Sequence, residues 1–129
     1  MHDLSDWNVL VVDDEPDNVG VIVLVLEYYN ATVRTAVSGT ECMEMLQADM
    51  PTILLLDIQM PDISGFDLMQ KVREDSRWQH LPIIAVTAHA MSGDQERIIA
   101  SGFDGYIPKP INTMTLVDEL KGFFDAKNG

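Results

Sequence analysis

The chain has 129 residues, 47% of them apolar, and carries 21 acidic against 8 basic side chains, a formal net charge of −13 at pH 7. That length suits one domain with its own core, and the acidity, unrelieved by any Lys/Arg cluster, argues against nucleic acid or anionic lipid and for a protein partner. No bilayer span or signal peptide is legible, because the longest apolar run, Val19 to Leu26, is short and holds Gly20, and the start carries His2, Asp3 and Asp6. The single Cys42 has no internal partner and lies on an apolar helical pattern, so a buried structural thiol in a cytoplasmic protein is expected.

Strand-like and helix-like segments alternate without a linker or repeat. Asn8 to Val12 reads as β1. Pro16 to Tyr29 is rich in β-branched residues, which by propensity alone favours a strand. Pro16 in a first helical turn beside Glu15 and Asp17, and the crossover that parallel strands require, favour a helix, α1. Val19, Ile22, Val23 and Leu26 would face the core, leaving Val21, Leu24 and Tyr28 as an outer apolar stripe. Ala31 to Ala36 is β2. Ser38 with Glu41 reads as a capping box opening α2, whose Cys42, Met45 and Leu46 turn inward and which ends before Pro51. Thr52 to Leu56, wholly apolar, is a β3 covered on both faces. Gly65 precedes α3, with Leu68, Met69 and Val72 inward. Pro82 to Val86 is β4, Ser92 to Ser101 is α4 closed by Gly102, and Gly105 to Ile107 is β5. Asn112 caps α5, whose Leu116, Val117, Leu120, Phe123 and Phe124 form an apolar stripe. The (βα)5 pattern with right-handed crossovers implies an α/β fold, a doubly wound parallel sheet.

Four of the apolar runs end in polar residues: Asp13 and Asp14 after β1, Asp57 after β3, Thr87 after β4, and Lys109 after the run Gly105 to Pro108. Taken singly, each has a bland reading as a solvated loop acid or a strand-end residue. In a parallel sheet they converge on the crevice at the carboxyl edge, where open α/β sheets bind ligands. Three anions a few ångströms apart repel by about 4 kcal/mol per pair at intermediate effective dielectric, which a fold tolerates where a cation is expected. Hard oxygen donors suit Mg²⁺, with Mn²⁺ as a substitute, and the lack of a His/Cys set argues against zinc.

This quintet, together with the strings VVDDEPDN, LLLDIQMPDISGFDL, VTAHA and GFDGYIPKPI, resembles the response-regulator receiver domain of two-component signalling, from Trp7 to Asp125. The resemblance implies a flavodoxin-like, CheY-like strand order 2-1-3-4-5 with its switch point between β1 and β3. It implies Asp57 as acceptor of a phosphoryl group from a histidine phosphate. Asp14, Asp57 and the backbone carbonyl of Gln59 would be direct Mg²⁺ ligands, with Asp13 acting through water and Lys109 neutralising charge. Thr87 would be the switch hydroxyl, Ala88 the small neighbour that lets its amide approach phosphate, and Tyr106 a rotating aromatic. Met60, Pro61 and Gly65 would shape one wall, and the Lys109–Pro110 bond would be cis. Gln59 and His89 would flank the attacking water and tune phosphoryl loss.

The partners so implied are a histidine kinase or histidine phosphotransfer protein, docking on α1 and the β5–α5 loop, and a downstream target. With only polar residues after α5, the expectation is a single receiver over residues 1–129 without an output domain, monomeric or weakly dimeric, and not an enzyme beyond its own phosphorylation and dephosphorylation. A receiver module cut from a hybrid histidine kinase is the alternative within the family. An aspartyl-phosphate hydrolase also uses an Asp nucleophile with Mg²⁺, but carries a second Asp where Gln59 stands here. A flavin carrier lacks support, because DDEPDN is no glycine- or hydroxyl-rich phosphate cradle.

Overall fold

Five parallel strands in the order β2-β1-β3-β4-β5 form the centre of the computed structural model, which describes residues 3–60, 62–88 and 92–128. In chain order the elements are β1 (Asn8–Val12), α1 (Pro16–Tyr28), β2 (Thr32–Ala36), α2 (Gly39–Ala48), β3 (Ile53–Asp57) and α3 (Gly65–Arg73). A short 3-10 turn (Ser76–Trp78), β4 (Ile83–Thr87), α4 (Ser92–Ala100), β5 (Gly105–Pro108) and α5 (Leu116–Asn128) follow. The expected doubly wound sheet is therefore present, in the expected order.

Period-2 alternation divides the strand residues between two cores. Val9, Val11, Ile53, Leu55, Ile84, Val86 and Ile107 pack with Ile22 and Leu26 of α1 and with Leu116, Val117 and Leu120 of α5. Leu10, Val12, Leu54, Leu56, Ile83 and Ala85 face the other way, against Cys42 and Leu46 of α2, Leu68, Met69 and Val72 of α3, and Ile98 of α4. Burial on both faces explains why β3 and β4 read as continuous apolar runs. Burial of Cys42 pushes its thiol up to about 12, so it packs as an unreactive small hydrophobe.

The β-branched run Val19 to Leu26 is helical because its 3.6-residue period gives one face a sheet to cover. Ile22 and Leu26 are fully buried, whereas Leu24 and Tyr28 are 73% and 79% exposed and Val21 is exposed beside them. α2 shows how long-range contacts finish an element. Ser38 Oγ accepts from the Glu41 N–H at 3.1 Å, while Glu41 Oε1 accepts from the Val37 N–H at 3.3 Å, one residue earlier than a regular capping box. Asp62, in the loop after β3, also accepts from the Gly39 and Thr40 N–H groups, and the Gly39 bond chiefly holds its carboxyl below the ordinary range. At the other end, Arg34 of β2 donates to the Met45 carbonyl, which also accepts the Asp49 N–H, and to the Asp49 carbonyl just past the helix.

Several boundaries differ from the sequence expectation. β2 starts at Thr32, because Asn30 takes a left-handed φ of 76° and the Ala31 N–H still donates to Leu26 O. β3 and β4 each extend one residue further, so Asp57 and Thr87 are themselves the last strand residues. Regular α5 begins at Leu116, four residues after Asn112. Asn112 caps the preceding turn instead, its Oδ1 accepting from the Met114 N–H at 3.0 Å and its carbonyl from Leu116. Met45, Phe123 and Phe124 are half-buried rather than fully inward, and Phe124 stacks on Trp7 at 5.1 Å. Leu4 is 1% exposed and bonds through its N–H to Tyr29 O, so the chain before β1 belongs to the core too. Among the described residues no helix is long and apolar enough to cross a membrane.

Candidate functional site

The carboxyl edge of the sheet gathers the residues that end β1, β3, β4 and β5. Register aligns them: Val12 is opposite Leu56, Asp57 opposite Val86, and Thr87 opposite Pro108. The Lys109 N–H donates to Thr87 O at 2.8 Å, tying the two strand ends together, and the Lys109–Pro110 peptide is cis. α3 begins hard against the end of β3. A Cβ at Gly65 would lie 2.6 Å from Asp57 O and Ile58 Cα, so only glycine allows this approach.

Asp13, Asp14 and Asp57 bring one carboxylate oxygen each to within 4.8 Å of one another. Asp13 and Asp57 are only 2% and 3% exposed, whereas Asp14 is open to solvent. At that spacing a pair of like charges repels by about 3 to 4 kcal/mol at intermediate effective dielectric. Partial compensation comes from Lys109 Nζ, 3.3 Å from Asp13 Oδ2 and 3.5 Å from Asp57 Oδ1. Asp57 Oδ1 also accepts from the Gln59 N–H at 3.1 Å. Asp57 Oδ2 is buried and has no hydrogen-bond partner among the described residues. Burial, then the charge of Asp13, pushes the Asp57 carboxyl up to about 6 against the opposing pull of the Gln59 N–H and Lys109. For Lys109, burial alone would lower the ammonium, but Glu15, Asp57 and Asp13 outweigh it and hold it above its ordinary value.

The donor set fits a small hard cation: three carboxylates, no thiolate or imidazole, one member solvent-facing, and a buried oxygen left unpaired. Thr87 is 2% exposed at the end of β4. Ala88 is exposed and borders a groove with Lys109, Pro110 and Ile111. Tyr106, half-buried on β5 opposite Ala85, packs toward the core shared with α2, α3 and α4. Gln59 is exposed beside Asp57, while His89 and Pro61 lie outside the described residues.

Two participants have no counterpart in the sequence reading. Glu15 Oε1 lies 2.8 Å from Lys109 Nζ, and Asn18 Nδ2 donates to Asp13 Oδ2 at 2.6 Å. Both sit where α1 starts, and the only signal for them was their place in the string DDEPDN, which reads equally well as helix-start chemistry.

The sequence pattern of the response regulator receiver domain matches residues 9–121. The chain belongs to this family. This receiver is 35% identical over 117 residues to the polar-differentiation response regulator DivK of Brucella ovis, a match covering 90% of this chain and 94% of DivK. It is 36% identical over 117 residues to an uncharacterized 14.6 kDa protein of Leptolyngbya boryana, covering 91% and 89% of the two chains. Among solved structures it resembles the chemotaxis response regulator CheY4 of Vibrio cholerae, with a TM-score of 0.85 and 27% identity over 91% of this chain and 98% of that one. The receiver architecture is thus the shared frame, and in this chain Asp57 lies in the acidic cluster at its carboxyl edge.

Proposed function

We propose that this receiver is a phosphorylation-switched signalling protein. Asp57 takes a phosphoryl group from a phosphohistidine of a histidine kinase or histidine phosphotransfer protein, and the modified protein binds a downstream partner. The observation that carries the reading is Asp57 Oδ2, a buried oxygen without a partner in a cluster of like charges. Such an atom is costly unless a cation or an electrophile is supplied to it. The near-complete coverage of DivK and CheY4 supports reading residues 9–121 as a receiver unit like theirs. A cytoplasmic setting agrees with the unpaired, buried Cys42.

Asp14, Asp57 and the Gln59 carbonyl would hold Mg²⁺ or Mn²⁺ directly, with Asp13 acting through water. When bound, the ion neutralises the carboxylates and the oxygens of the transferring group. An Asp57 oxygen forms a bond to phosphorus as the P–N bond breaks, and the imidazole leaves after taking up one proton. Positioning and charge neutralisation dominate such a transfer, and Lys109 supplies the chain's own positive charge. The Thr87 hydroxyl then follows the new phosphoryl oxygens, Ala88 leaves room for its amide to approach, and Tyr106 moves in step with Thr87. Gln59 and His89 are the residues assigned to tuning how fast water removes the group.

With Mg²⁺, acetyl phosphate should modify a single site, leaving a hydroxylamine-labile bond detectable by mass spectrometry. Asp57→Asn should take no label. Labelling of that variant at the wild-type rate would remove Asp57 from the reaction.

The donor's docking surface is read at α1. Val21 borders a groove of about 480 Å³ with Asn18, Lys109, Pro110 and Ile111, and Leu24 borders another of about 490 Å³ with Val19, Val23 and Val37. Val21, Leu24 and Tyr28 are large apolar side chains exposed on this helix. Burying one large apolar side chain at a contact is worth about 1.5 to 3 kcal/mol, so Leu24→Ala or Tyr28→Ala should weaken donor binding by roughly tenfold or more. Labelling by acetyl phosphate should be unchanged in both. Wild-type transfer from the cognate donor to both variants would make these exposed side chains a neutral surface feature.

A further inference from the structure

The Lys109 ammonium sits nearest to a carboxylate outside the acid cluster. Its Nζ is 2.8 Å from Glu15 Oε1, against 3.3 Å to Asp13 Oδ2 and 3.5 Å to Asp57 Oδ1. Glu15 is the residue before α1, and its side chain caps no N–H of that helix. Its backbone N–H is anchored on Asp13 Oδ1 at 2.9 Å, which fixes the point from which the side chain reaches across to β5. Among the described residues, Lys109 is the only hydrogen-bond partner of the Glu15 carboxylate. Lys109 is 12% exposed and Glu15 63%, so a nearly buried ammonium is drawn outward by an acid that is itself free to leave.

We propose that Glu15 is a positioning residue that holds Lys109 back from Asp57 and so restrains the acceptance of a phosphoryl group. The proposal rests on the reading of Asp57 as the phosphoacceptor. An ammonium has three donors and no preferred plane, so it divides itself among the acids in reach according to distance and charge. In the unmodified protein the shortest of its contacts goes to Glu15. A phosphoryl group on Asp57 replaces one carboxylate charge with nearly two on the phosphoryl oxygens, a net gain of about one, and its strong acceptor oxygens would draw the ammonium inward at the expense of the Glu15 contact. The competing pair is solvent-facing on its Glu15 side, which limits its strength. Its release should therefore change the equilibrium by a small factor, about two- to fivefold.

Two variants separate contact from charge. Glu15→Gln keeps the reach and removes the charge, whereas Glu15→Asp keeps the charge and withdraws it by one C–C bond, about 1.5 Å. With Mg²⁺ in saturating amount, beryllofluoride affinity is measured by amide NMR as a mimic of the phosphoryl group. Both variants should bind it more tightly than wild type, Gln by about two- to fivefold and Asp by about twofold. A merely structural role predicts weaker binding, so the gain is diagnostic. In metal-free protein the Lys109 ammonium resonance should shift in both variants while the other lysines stay in place.

If wild type binds beryllofluoride and neither variant binds it more tightly, the role of Glu15 is overturned and the phosphoacceptor reading survives. Tighter binding by Gln alone, with an unmoved Lys109 signal in Asp, reduces the effect to long-range charge and also overturns the contact. A wild-type protein that binds no beryllofluoride overturns the phosphoacceptor reading, and this inference with it.

Discussion

Metal-free Asp57→Asn protein should be more stable than wild type by about 2 to 3 kcal/mol near pH 7.5, and the gain should fade as the pH drops from about 6 toward about 4. The buried Asp57 carboxyl titrates at about 6 in the folded protein against an ordinary value of 3.8. Between those values the folded chain binds more protons than the unfolded one, so stability falls as pH rises through the window and remains low above it. Asn removes the penalty, whereas at lower pH wild type escapes it by protonating Asp57. Relief of Asp13, which faces Asp57 across the cluster, acts in the same direction. Saturating Mg²⁺ should reverse the order, because binding to the folded state stabilises wild type by about 4.1 kcal/mol at a thousandfold excess over Kd. Urea unfolding in chelator at several pH values measures all of this. Identical midpoints for the two proteins at pH 7.5 would mean that Asp57 bears no desolvation or repulsion cost.

What was legible in the sequence is what one residue type at one position can signal. Asp57 and Thr87 end β3 and β4, and Asp13 and Lys109 directly follow β1 and β5, so a correct strand order alone was enough to bring them to one edge. Ser38 and Gly102 announce helix ends by local chemistry, and the structure uses them so: Ser38 caps α2, and Gly102 follows α4 with a φ of 110°. Asn112 carries the same cap chemistry but spends it on a turn, because nothing local distinguishes a helix from the turn that leads into it. Glu15, Asn18, Asp62 and Arg34 could not be assigned from sequence for a different reason. Each acts on a partner in another element, and an acid near a helix start reads identically whether it caps its own helix or reaches across the sheet edge to Lys109. Specific site residues of this kind become visible only once the fold sets their neighbours.

Arg73→Ala should cost about 2 to 4 kcal/mol, lowering the melting temperature by roughly 8 to 15 °C, while leaving modification of Asp57 by acetyl phosphate intact. Arg73 ends α3, and its Nη1 donates to Trp78 O at 2.8 Å, Leu81 O at 2.7 Å and Gln79 O at 3.2 Å. Its Nη2 bonds Asp104 Oδ2 at 2.9 Å, and the same oxygen accepts from the Ile83 N–H, while Asp104 Oδ1 pairs with Lys127 of α5 at 3.1 Å. One guanidinium thus closes the α3–β4 connection and links it through Asp104 to the start of β5 and the end of α5. Arg73 and Asp104 are 19% and 15% exposed, so water replaces little of what the substitution removes. Three carbonyls and a carboxylate each lose the Arg73 donor together, although Trp78 O keeps the Leu81 N–H and Asp104 keeps the Ile83 N–H and Lys127, a combined loss no single surface pair matches. Arg73→Lys should fall between, because a point charge cannot fill a planar fork. Arg77 makes bonds of similar length to Asp75, but with 59% of its side chain exposed, and Arg77→Ala should leave the melting temperature within error of wild type. Equal losses for Arg73→Ala and Arg77→Ala would show that burial does not decide between these two pairs. The network lies at the amino edge of β4, opposite the acid cluster, so the loss should appear in stability and not in the rate at which Asp57 is modified.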